Sequence, residues 1–156
     1  MDMGTLHAKQ VGYAGEHLVM ADLLMQGFNP SLVNDLCHFD IMAERDECIL
    51  RIEVKTTAAP RNESDRSGRY KFQLVHRRGW GHREDKLENE CDLLAFAFLD
   101  IRKVAYMAPE DVSNEGVMKS QINFRSLDVN ENYRGNGIIE HHLTVPEKVL
   151  KPRTPF

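Results

Sequence analysis

The chain has 156 residues, 42% of them hydrophobic and 28% charged, with a formal net charge of −4. That length suits one domain with a sizeable core, and the balance of apolar to charged residues excludes a disordered chain. Three widely spaced cysteines, Cys37, Cys48 and Cys91, exclude a disulfide framework and fit a reducing compartment.

In chain order, Val11, Ala14, Leu18, Ala21 and Met25 recur at spacings of three and four, which predicts an amphipathic helix from about Lys9 to Gln26, stopped by Gly27. "FNPSLVN" offers a short strand, and "FDIMAERDECILRIEVKTT" (39–57) a β-hairpin. "APRNESDRSG" is a polar loop punctuated by Pro60 and Gly68, and "RYKFQLV" alternates like a strand. "HREDKLENE" is polar and helix-prone, while "CDLLAFAFLD" and "KVAYMAP" read as a buried strand and its neighbour. Pro109 opens a short helix, "INFRSL" adds an edge strand, and residues 128–156, rich in Asn, Gly, His and Pro, are expected to form a loosely packed tail or arm. The expected architecture is α/β, a mixed central sheet flanked by helices, with residues 1–127 as the domain proper.

No apolar run approaches the roughly 18–20 residues of a membrane span. The opening "MDMGTLHAKQ" is too polar for a signal peptide, so no membrane and a cytoplasmic location are expected.

The charge is unevenly distributed. Residues 1–50 carry two Lys/Arg against eight Asp/Glu, and residues 84–156 nine against thirteen. Residues 51–83 carry nine against three, a local balance of +6 in an acidic chain. Such a segment suits either a phosphate-binding surface or a solvated loop of mixed charge. Arg61, Arg66, Arg69, Arg77 and Arg78 are the candidates to track a nucleic-acid backbone. Trp80, between two glycines, is a candidate to stack on a base or to anchor its loop.

The hairpin holds the sharpest pattern. With Asp46-Glu47 as a two-residue turn, opposed residues have numbers summing to 93. Ile41, Ala43, Cys48, Leu50, Ile52 and Val54 then share an apolar face, and Asp40 faces Glu53 directly. Two carboxylates so placed repel each other unless a cation lies between them, and Mg²⁺ takes such hard oxygen ligands. Lys55 points to the same side and could hold a scissile phosphate or orient an attacking water. The plainer alternative is a lysine–carboxylate cluster on a solvated face.

Phe39-Asp40 followed by Glu53-Val54-Lys55 resembles the core of the PD-(D/E)XK nuclease superfamily, with Phe39 where the half-motif has proline. "GYAGEHLVMADLLMQGF" resembles the first helix of Holliday-junction resolvases and related homing endonucleases, with Glu16 in place of the helix-borne acid. The resemblance covers about residues 10–107 and implies a restriction-endonuclease-like fold. It also implies Mg²⁺ (or Mn²⁺) held by Asp40, Glu53 and the Val54 carbonyl, catalysis by Glu16, Asp40, Glu53 and Lys55, and a homodimer cutting DNA, branched DNA included. The rival is a DNA-binding or assembly module that keeps the fold without the chemistry.

Two further patterns carry less. Cys37-His38, Cys48, Cys91 and His141-His142 lack the spacing of a zinc site, and Cys48 belongs with the apolar face of the hairpin. Gly12 and Gly15 do not form a phosphate loop and are expected to let helix and sheet approach closely.

Overall fold

The computed structural model describes residues 7–60, 68–74, 91–114, 117–126 and 137–151. The expected helix is α1 (Ala8–Met25), opened by a hydrogen bond from the His7 amide to Gln10 Oε1. It ends at Gly27, whose φ of 84° lets the Gly27 and Phe28 amides turn back onto the Leu24 and Leu23 carbonyls. Strands β1 (Asn29–Leu32), β2 (Ile41–Arg45), β3 (Cys48–Thr57), β5 (Leu93–Phe98) and β6 (Lys103–Met107) form the central sheet in the order β1-β2-β3-β5-β6. Only β3 and β5 run parallel; the other neighbours are antiparallel, so the sheet is mixed.

β4 (Tyr70–Gln73) does not join this sheet. It pairs antiparallel with β9 (Gln121–Phe124) as a separate two-stranded ribbon, so "INFRSL" is an edge of that ribbon and not of the main sheet. A second small pair joins β7 (Ser113–Asn114) to β8 (Val117–Met118) after a 3-10 turn at Pro109–Val112. The helix-prone segment 82–90 lies outside the described residues.

Strand alternation builds two cores. Ile41, Ala43, Leu50, Ile52, Leu93, Ala95 and Ala97 point to one face, where Val19 and Leu23 of α1 cover them. Each of these larger aliphatic side chains, fully removed from water, is worth roughly 1.5–3 kcal/mol. Leu94, Phe96 and Phe98 point to the other face and meet Tyr70 and Phe72 of β4 and Ile122 and Phe124 of β9. The rings there pack edge to face, with Phe72 at 5.0 Å from Phe96 and Tyr70 at 4.8 Å from Phe98. The sheet is therefore covered by a helix on one side and by a β-ribbon on the other.

Where a loosely packed arm was expected from residue 128, residues 137–151 contribute Ile139 to one core and Val145 to the other. The physical reason is a polar clasp. Tyr106 Oη donates to Asp22 Oδ2 at 2.6 Å, Gln26 Nε2 donates to the same oxygen at 2.7 Å, and Gln26 Oε1 accepts from the Val145 amide. Burial and that carboxylate push the Tyr106 phenol far above its ordinary range. Among the described residues no helix is long and apolar enough to cross a membrane.

The two glycines of α1 part company. A methyl group built on Gly15 would lie 1.8 Å from Thr56 Oγ1, whereas one on Gly12 would meet nothing within 4 Å. Close approach therefore holds for Gly15 and not for Gly12. Gly12→Ala should stabilise the protein by about 0.5–1 kcal/mol through helix propensity. Gly15→Ala should destabilise it by about 1–3 kcal/mol, because the sheet must move away. Urea denaturation of both variants checks the opposite signs.

Candidate active site

The hairpin that carries the site forms in the expected register. Ile41 pairs with Ile52 and Arg45 with Cys48, around a turn in which Asp46 and Glu47 both have positive φ, 49° and 64°. These are the dihedrals of a turn that favours Asn-Gly, adopted here by two residues that pay for it in strain. Packing of the apolar face supplies the compensation, since Ile41, Ala43, Leu50 and Ile52 are all buried.

At Asp40 the ladder departs from the simple pattern. The last register pair is Ile41–Ile52, and the Asp40 amide also donates to the Ile52 carbonyl, at 2.9 Å. The chain then swings away, and Asp40 Oδ2 accepts from the Val54 amide at 2.7 Å. The carboxylate thus takes the position that a backbone carbonyl of β2 would hold. Direct backbone opposition of Asp40 to Glu53 is replaced by this side-chain bridge, which still keeps the two acids close enough to interact.

Glu53 and Lys55 project from the face shared with Leu94 and Phe96, their register partners on β5. Lys55 Nζ donates to Glu53 Oε1 at 2.8 Å, with the two side chains only 12% and 16% exposed. Burial first, and then the Glu53 charge, raise the Asp40 carboxyl above the ordinary carboxylate range; the Val54 amide and Lys55 oppose the rise. Burial and the Glu53 charge together thus outweigh the support that Lys55 and the Val54 amide give to the ionised Asp40 carboxylate.

Glu16 sits to one side, on α1. It shares with Asp40, Tyr13, His17 and Phe39 a cleft of about 350 Å³ beside the 33–40 loop. Its carboxyl is also raised, by burial and then by the Asp40 charge. Among the described residues no three His, Cys, Asp or Glu side chains converge to hold a metal ion.

The remaining expectations divide. Arg69 is described and exposed, whereas Arg61, Arg66, Arg77, Arg78 and Trp80 lie outside the described residues. Cys48 belongs to the core on the α1 side and Cys91 to the opposite core, while Cys37 is exposed, so the sheet separates these candidate zinc ligands. Sequence reasoning gave Cys91 no place near the site. Its thiol is pushed up to about 12 by burial and then by Glu53. The parallel β3–β5 pairing creates that proximity, and no local motif signals it.

A family model described as PD-(D/E)XK endonuclease matches residues 6–136, most of the chain and all of the site just described. The chain belongs to that family. This PD-(D/E)XK endonuclease also shares its fold with a solved bacterial homing endonuclease, I-Ssp6803I, at a TM-score of 0.63. The two are 11% identical, and the match covers 83% of this chain and 84% of the other. No curated protein matches the sequence.

The geometry has a measurable consequence. Asp40→Asn keeps an oxygen for the Val54 amide and removes the repulsion from Glu53. A carboxyl whose pKa is raised on folding favours the fold at low pH and loses that contribution as pH rises through the raised value. In a metal chelator the variant should therefore be more stable than wild type at pH 7, by up to about 1 kcal/mol. The gain should vanish near pH 3, where both forms are neutral. Thermal melts at the two pH values check this.

Proposed function

We propose that this endonuclease hydrolyses phosphodiester bonds of DNA with the help of Mg²⁺, for which Mn²⁺ substitutes. The observation that carries the reading is the pair of half-buried acids, Asp40 and Glu53, close enough to raise the Asp40 carboxyl. Two hard carboxylates in charge deficit are the donor set that Mg²⁺ accepts while keeping several waters. Val54 supports the same reading. A residue's N–H and C=O in a strand face the same neighbour, so with the Val54 amide bound to Asp40 its carbonyl also faces the side beyond the end of β2. Asp40, Glu53 and the Val54 carbonyl would hold the cation. When bound, it lowers the pKa of water and offsets charge building on the phosphate.

The chain's own residues do the rest. Lys55, held by Glu53, places an ammonium beside the reacting phosphate, where it orients the attacking water and stabilises developing negative charge. A cation held by Glu53 would share that carboxylate's charge with the Lys55 ammonium, which stays within reach of the substrate phosphate. Glu16, protonated more readily than an ordinary carboxyl, offers a proton-holding group in the adjoining cleft. Arg69 and the basic span around it contact the backbone. Two copies of the chain, each cutting one strand, form the assembly we propose. The substrate is DNA, branched forms included.

Three measurements test this. Mg²⁺ should raise the melting temperature of wild type, because a ligand bound by the native state alone stabilises it, and should leave an Asp40→Asn/Glu53→Gln variant unmoved. Lys55→Ala should cut the single-turnover cleavage rate about a hundredfold or more while DNA affinity falls only slightly. Duplex, four-way-junction and single-stranded substrates compared side by side rank the substrate forms. A wild type that binds DNA and cuts none of them would favour the binding module.

A further inference from the structure

We infer that the outer face of the β4–β9 ribbon reads base edges in the major groove of duplex DNA. The inference rests on the nuclease reading for the identity of the ligand, but on a different part of the molecule. Tyr70, Phe72, Ile122 and Phe124 point inward and are buried, so the alternation of the two strands turns Lys71, Gln73, Gln121 and Asn123 outward. Lys71 pairs with Asn123 and Gln73 with Gln121, which brings the four side chains together as two cross-strand pairs. No carboxylate is among them, although the chain as a whole carries a net charge of −4, and β4 lies inside the span of local balance +6.

The chemistry of that face selects its partner. Gln and Asn match the donor and acceptor of adenine in the major groove, and Lys matches the acceptors of guanine or a phosphate. The ribbon's strands are four residues each, roughly 13 Å long, and a two-stranded ribbon fits a groove about 12 Å wide. The major groove of an RNA duplex is too narrow to admit it. Single strands are recognised by stacking on aromatic rings, and the ribbon's rings all face the core.

Position agrees with chemistry. Phe72 rests on Phe96, and Phe96 is the register partner of Lys55 one strand away. The ribbon therefore covers the face from which Glu53 and Lys55 project, beginning next to them. A duplex that brings a phosphate to Glu53 and Lys55 lays its adjoining groove against the ribbon.

The test uses the full chain with Mg²⁺ and a pool of randomised duplex DNA, sequencing both the bound molecules and the cut ends. Wild type should show a base preference displaced to one side of the cut. Gln73→Ala/Gln121→Ala/Asn123→Ala should reduce that preference roughly five- to a hundredfold, the scale of losing one or more bidentate base contacts. Lys71→Ala should weaken binding evenly across sequences and lower the log–log salt slope by about one. Should the triple variant fail to fold, Gln73→Ala alone, at an exposed position, carries the comparison. A folded variant with the wild-type preference overturns the inference, as does a wild type that cuts without preference, which leaves the nuclease reading intact. A wild type that never cuts but selects sequences through these residues upholds the ribbon and overturns the nuclease reading. A wild type that neither cuts nor binds duplex DNA overturns both.

Discussion

A two-residue turn through Asp46 and Glu47 holds β2 against β3 in a register that a slip of one residue would invert. In that register the apolar face of the hairpin seals onto α1, and Glu53 and Lys55 are left on the opposite face. The turn is strained, with two non-glycine residues at positive φ, so burial and not turn preference sets the pairing. Together the aliphatic residues buried behind the hairpin contribute more than the turn costs, and a slipped register would expose several of them at once.

The same register concentrates unfavourable charge. Asp40 and Glu53 are brought close in a partly buried setting, and the Asp40 charge also raises the carboxyl of a third acid, Glu16. Lys55 and the Val54 amide offset only part of this. Under the proposed function, a cation or substrate arriving at the site would offset that cost.

The cover on the two faces of the sheet differs in kind. On one side α1 approaches so closely that Gly15 sits directly on Thr56, fixing the helix that bears Glu16 relative to the strand that bears Glu53 and Lys55. The ribbon on the other side is held by aromatic rings and presents a polar outer face beside the site. The Tyr106–Asp22–Gln26 clasp then ties the end of α1 to β6 and to residue 145, which closes the core on the helical side. A rigid frame of this sort suits a site whose groups must be held within fractions of an ångström.

The sequence by itself determined the helix, the hairpin register and the identity of the acid–acid–lysine set. Each depends on spacing within a short stretch, where periods of 3.6 and 2 translate directly into shared faces. It also carried the apolar character of Cys48. Tertiary structure alone decided the side-chain bridge from Asp40 to Val54, the placing of Cys91 beside Glu53, and the ribbon formed by β4 with β9, which are some fifty residues apart. It decided equally that residues 137–151 complete the core, and that Gly15 but not Gly12 is needed for close approach. These are contacts between segments distant in sequence. Their formation depends on the volume and hydrogen-bond demand left over once the local elements have packed, and no local period records that.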